Sequence, residues 1–134
     1  HAQQQLMMCL EKIAPLCEKS ALSDEDIETY HHYNIIFHNT IIQGADNIAI
    51  AQALSKNNQL PMASAQALTF DKNNHLSEIR RLQYAHIQHC SIYHALIHRD
   101  AARAESLMRE HSHVVTLSHM IQKLFDAKTV QEIE

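Results

Sequence analysis

Apolar residues recur at three- and four-residue spacing along most of this chain, the period of helices that pack by one face. Over residues 2–19 the repeat is Leu6, Cys9, Leu10, Ile13 and Leu16/Cys17, which predicts a first helix. Pro15 should kink it or open a separate last turn. In "ALSDEDIETY" Ser23 has the chemistry of an N-cap, and Asp26 lies three residues on, as in a capping box. The second helix is expected from Asp24 to about Gln43, ended by Gly44 in a left-handed cap. A third, shorter helix is predicted over 46–56. "KNNQLPMAS" reads as a loop from which Pro61 opens a short helix towards Leu68, and "TFDKNNH" as the next break. A long helix should follow from about Asn74 to Ile97, and a final one from Asp100 to about Phe125, with a frayed tail after Lys128.

Polar residues interrupt the apolar stripes at mid-height. On the second helix one stripe runs through Ile27, His31, Asn34, His38, Ile41 and Ala45, so Asn34 and His38 share a face. On the long helix Leu82, His86, His89, Tyr93 and Leu96 share another. On the last helix the stripe is Ala104, Leu107/Met108, His111, Val114/Val115 and Ser118. His89 and His111 lie equally far from Asp100, eleven residues each way. In an antiparallel hairpin turning at Asp100 both imidazoles would stand about 16 Å from the turn, level with each other. With Asn34 and His38 from a third helix they can meet inside a bundle as a metal site, since imidazole suits Zn, Ni, Cu or Fe. The competing explanation for any one of them is a hydrogen-bonded core histidine. His86, His94, His98, His113 and His119 have no such alignment and read as surface or boundary residues.

Composition supports the helical reading. The 134 residues contain one glycine, two prolines and no tryptophan, with 46% hydrophobic residues. Few turn-formers and no β-branched runs leave little material for sheets. The expected fold is all-α, an antiparallel bundle of about six helices around a central ligand or metal pocket. The length suits one domain. A net charge of −4 argues against this chain alone gripping nucleic acid. Three cysteines without a C-x-x-C pattern suit a reducing cytoplasm, and no stretch approaches a membrane span. The 12 histidines outnumber the 11 lysines and arginines; on most faces they are expected to be solvated.

"YNIIFHNTIIQGADN" followed by "QHCSIYHALIHRDAARAESLMREH" resembles the C-terminal effector-binding (FCD) domain of FadR-type GntR transcription regulators. That family shows a D-x-x-F-H-x-x-L pattern with a glycine-asparagine turn, then E-H-x-x-I with A-I-x-x-G-D, then A-x-x-x-M-x-x-H. The resemblance covers about residues 20–120 and puts His38, His89 and His111 on the three metal-ligand histidines, with Asn34 at the fourth ligand position. It implies a helical bundle holding a divalent ion, Zn or Ni, beside a small carboxylate effector. It further implies a homodimer that binds operator DNA through an N-terminal winged helix-turn-helix, which is not in this sequence. "NQLPMASAQAL" is similar to the vanillate-repressor branch, which would make the effector an aromatic acid.

The chain departs from the pattern at three places. Asn34 replaces aspartate, Gln88 replaces the glutamate before the second histidine, and Arg99 replaces the glycine before Asp100. With Asn34 all four protein ligands are neutral. Three outcomes stay open: a weaker metal site, one that favours an anionic effector more strongly, or a metal-free cluster that hydrogen-bonds the effector. Arg80, Arg81 and Tyr93 are the candidate effector contacts, with either arginine also able to be solvated. Two other functions compete with a sensor domain. A helical-bundle metalloenzyme of the di-iron kind needs paired inward Glu-x-x-His motifs, which are lacking here; a plain dimerisation bundle needs no site at all.

Overall fold

The computed structural model describes residues 1–46, 52, 70, 71, 73–114, 117, 120, 123 and 124. Among them the regular elements are all helical: α1 (Ala2–Ile13), a 3-10 turn (Ala14–Glu18), α2 (Asp24–Gly44), α3 (His75–Ile97) and α4 (Ala101–His111). No strand occurs among the described residues. The helix predicted over 46–56, apart from Asp46 and Gln52, and the one after Pro61 lie outside them, as does the tail after Lys128.

Local chemistry sets most of the boundaries. Pro15 sits in the first turn of the 3-10 segment, where its missing N–H costs nothing, so it opens a separate turn. Ser23 caps α2 with a complete capping box: its hydroxyl accepts from the Asp26 N–H (3.1 Å) while the Asp26 carboxylate accepts from the Ser23 N–H (2.9 Å). Lys19 and the Ser23 N–H hold the Asp26 carboxyl below the usual carboxylate range. Asn74 and Asp100 cap α3 and α4 in the same way, accepting from the Ser77 and Arg103 N–H groups.

Two predicted ends are corrected. Gly44 is the last helical residue and not the left-handed cap; φ turns positive at Asp46 (48°). Aspartate tolerates that region because its short side chain can bond locally. The last helix does not run unbroken to Phe125. It ends at His111, Ser112–His113 form a turn, and the described positions from Val114 on are helical again. The Ser112 hydroxyl donates to the Arg109 carbonyl (2.6 Å) and the His113 N–H bonds Glu110, three residues back (3.0 Å). Such hydroxyl-to-backbone bonds compete with the helical ladder.

Packing also rotates two of the stripes. On α2 the buried face is Tyr30, Asn34, Phe37 and Thr40, so Ile27, His31, His38 and Ile41 lie at its edge. On α3 it runs through Ile79, Leu82, Ala85, Gln88, His89, Ile92, Tyr93 and Ala95, leaving Leu96 exposed. Helix α1 is the backing of both. Its Leu6, Cys9 and Leu10 pack with Phe37, Ile92 and Tyr93 in one cluster. Ile13 and Leu16 join Leu22, Tyr30, Ile79 and Leu82 in a second. Together the clusters fix α2 against α3. Polar contacts pin the same junction: the Leu22 N–H donates to His75 Nδ1 (3.3 Å) and Gln83 Nε2 to the Cys17 carbonyl (2.7 Å).

Candidate metal centre and the adjoining cleft

The α3–α4 hairpin turns through a tight cap. The Asp100 N–H bonds the Ala95 carbonyl (2.9 Å) and the Arg99 N–H bonds Leu96 (3.1 Å), the paired bonds of a Schellman motif. Arg99 occupies the left-handed position with φ 56°. The turn therefore keeps the geometry that glycine usually supplies, and Asp100 ends one helix while capping the next. The equal spacing about it has the predicted result. His89 and His111 meet with their Nε2 atoms 2.9 Å apart.

His38 of α2 completes a triangle, its Nε2 3.2 Å from that of His89 and 3.3 Å from that of His111. An ion about 2.1 Å from each nitrogen would be seen by pairs of them at angles of about 87° to 104°. Those are close to three neighbouring corners of an octahedron, and near those of a tetrahedron. Among the described residues this is the group of histidine, cysteine or acidic side chains that converges closely enough to hold an ion. His89 is fully buried, His111 nearly so, and His38 half-buried. Phe37 walls the site, its ring centroid 4.6 Å from that of His89.

Burial sets the protonation. Desolvation lowers His38 to about 4, and lowers His111 to about 4 with His38 adding to the effect. Desolvation first, and then the neighbouring His111 and His38, drives His89 well below the usual imidazole range. All three are neutral near pH 7, as metal ligands must be. Around them stand two buried amides. Asn34, only 2% exposed, is one turn before His38 on α2. Gln88 Oε1 lies 2.8 Å from His111 Nδ1. Sequence reading noted Gln88 only as a departure from a pattern; its place beside His89 was the available clue to a role.

The family model of the FCD domain matches residues 10–113, most of the chain. The chain belongs to the FCD family. None of the curated proteins and none of the solved structures compared with it matches. FCD domains are the effector-binding domains of GntR-family regulators, which agrees with the resemblance drawn from the three histidine segments.

The three predicted effector contacts have different fates in this FCD domain. Arg80 is exposed. Arg81 turns inward, its side chain 10% exposed, paired with Glu78 at 2.6 Å and lying over the Phe70 ring at 5.1 Å. Tyr93 is part of the core cluster with Leu6, Cys9 and Phe37, one turn from His89 on the side away from Arg81. Between Arg81, Tyr30, Phe70, Leu82, Ala85 and Val114 lies a cleft of about 10 Å³, room for one water. Ala85 lies four residues before His89 and Val114 three after His111, so two of the lining residues come from the stretches that carry those histidines. Tyr30, Phe70 and Glu78 were not among the predicted site residues; their chain positions carry no periodic signal pointing there. Of the other histidines, His86 is half-buried beside Cys90, while His94, His98 and His113 are exposed. His119 lies outside the described residues.

Proposed function

We propose that this FCD domain is the non-catalytic sensor of a GntR/FadR-type transcription regulator, binding a small carboxylate beside a divalent ion, Zn or Ni. His38, His89 and His111 would hold the ion, with the carbonyl oxygen of Asn34 as a fourth, neutral ligand. The observation that carries the reading is the Nε2 triangle, two of its histidines buried and one half-buried, with edge lengths that suit ligation. The ion's role is to supply positive charge to which the effector carboxylate binds. Arg81 is the cation that lines the cleft, with Ala85 and Val114 among its apolar lining. The water-sized cleft must widen to admit an acid, and the Glu78–Arg81 pair and the Phe70 ring are the parts that would rearrange. An aromatic acid of the vanillate kind is the preferred class, from the likeness of residues 58–68 to that branch. The sensor's output would be operator binding by a homodimer through a winged helix-turn-helix domain.

A metalloenzyme of the di-iron kind is disfavoured by the same geometry. Among the described residues no carboxylate joins the three imidazoles, and Glu110, beside His111, is exposed. Elemental analysis and isothermal titration with Zn and Ni test the reading directly. His89→Ala or His111→Ala should abolish tight binding, since each removes a ligand from a three-nitrogen set. Unchanged metal content in both variants would remove the centre from the proposal.

A further inference from the structure

We infer that Gln88 is a positioning residue for this centre: it presets the tautomer of His111 so that Nε2 faces the site as a bare lone pair. The inference concerns the ion site proposed above and rests on that reading only for its consequence, not for its geometry.

A ligating imidazole must carry its one proton on the nitrogen away from the ion, and a hydrogen bond from that nitrogen fixes both tautomer and ring angle. Gln88 and His111 are both buried, so neither can leave a polar atom unpaired without cost. Their contact, Oε1 to Nδ1 at 2.8 Å, satisfies this if the carbonyl oxygen accepts from Nδ1–H. Rotating the amide by half a turn would make Gln88 the donor and move the His111 proton to Nε2.

His89 distinguishes the two arrangements. Its Nδ1 is buried and has no hydrogen-bond partner. With His111 Nε2 bare, the His89 Nε2–H donates to it across 2.9 Å, and the orphaned Nδ1 is an acceptor. In the rotated arrangement His111 donates either to His89 Nε2 or to His38 Nε2 at 3.3 Å. The first makes the orphaned Nδ1 of His89 a buried N–H. The second sets two N–H groups against each other across 2.9 Å unless His89 again carries that orphaned N–H. Buried donors without partners are the rarer and costlier of the two. The whole chain of contacts therefore runs one way: His89 Nε2–H to His111 Nε2, then His111 Nδ1–H to Gln88 Oε1. His111 is set for ligation before any ion arrives. His89 is not, because its proton must pass from Nε2 to Nδ1 when the ion binds.

Gln88 does this without charge. A carboxylate at the same position would accept the same proton and also strengthen His111 as a donor. Glutamine keeps the direction of the hydrogen bond and leaves the centre neutral, as Asn34 does. Its effect on the ion should thus be smaller than that of an acid but larger than that of an apolar side chain.

The test is the imidazole 15N–1H spectrum of the metal-free protein, assigned by histidine substitution, for wild type, Gln88→Leu and Gln88→Glu. Zn and Ni titrations of the same three proteins accompany it. The expected wild-type spectrum shows His111 protonated at Nδ1 and His89 at Nε2. Gln88→Leu should shift His111 towards the Nε2–H form and weaken metal binding about 10- to 100-fold, the usual range for such partners. Gln88→Glu should keep the Nδ1–H form and bind metal at least as well as wild type, which separates a positioning effect from damaged packing. His111 protonated at Nε2 in the wild type, or a Leu variant with unchanged tautomer and affinity, overturns the inference. If no variant binds metal but wild-type His111 is the Nδ1–H form and the Leu variant loses it, the inference holds and the metal reading fails.

Discussion

Asn34 shows how one atom type changes what a site can bind. Its burial one turn from His38 fits a ligand position, yet an amide oxygen brings no charge to offset a divalent ion. With three neutral imidazoles beside it, an ion held there as proposed would keep its charge for an anion to neutralise. Metal and carboxylate should then bind with positive coupling, each raising the other's affinity by the same factor, about 1–3 kcal/mol in typical linkage. Asn34→Asp should tighten Zn or Ni binding and shrink that coupling, because the protein then supplies the negative charge. Calorimetric titration of vanillate and related acids into metal-free and metal-loaded protein, for both forms, reads the difference. Equal effector affinity with and without metal in the wild type would assign Asn34 to a hydrogen-bonding role alone.

Helix ends decide where the histidines stand, and two of them hold residues that do not suit their backbone. Gly44 lies within α2 at ordinary helical angles, and a Cβ there would meet nothing within 4 Å. Arg99 holds the left-handed position of the α3–α4 turn, where an L side chain is strained. Gly44→Ala should stabilise the fold by about 0.5–1 kcal/mol, by reducing the entropy lost on folding. Arg99→Gly should stabilise it by about 1 kcal/mol, by removing the strain. Urea midpoints of the two variants check this; a loss of stability from Arg99→Gly would mean that the guanidinium makes contacts worth more than the backbone cost. Neither change touches the histidine triangle, so metal affinity should stay as in the wild type. The turn at Ser112–His113 belongs to this level too. It interrupts the helix just after His111, and Val114 beyond it lines the cleft.

For the domain as a whole, burying three imidazoles makes stability depend on pH. In the unfolded chain they titrate near 6.5. In the folded protein His38 and His111 are held at about 4 and His89 is lowered further, each chiefly by desolvation. Below 6.5 the unfolded chain therefore binds protons that the folded one refuses. The stabilisation is complete above about pH 6.5 and is lost as pH falls towards 4. Asp26 acts in the same sense but in a lower window, since its lowered pKa matters only below the usual carboxylate range. Thermal unfolding between pH 7.5 and 4.5 should show a falling midpoint in the wild type and a shallower fall in His38→Gln. A flat profile in the wild type would contradict the burial of neutral imidazoles. The three histidines are positioned by a helix that carries none of them as well as by those that do: α1 backs α2 and α3 through both core clusters.

Much of this arrangement is legible in one dimension. Helix starts at Ser23, Asn74 and Asp100 follow from side chains that bond the backbone next to them, which is information the sequence carries locally. The level meeting of His89 and His111 follows from equal spacing about a turn and a fixed rise per residue. The family follows from the same segments. Other features depended on packing. Which of Arg80 and Arg81 turns inward was decided by Glu78 and Phe70, neighbours that no spacing rule selects. Tyr93, on the histidine stripe, went to the core because Leu6, Cys9 and Phe37 close over it. The stripe on α2 turned so that Asn34 is buried and His38 sits at the edge, facing the two imidazoles of the hairpin. The link from Gln88 to His111 joins residues adjacent only in space. Local bonding and helical period act within a few residues and can be read directly; the site depends on side chains from three helices and exists only once their faces have been chosen by packing.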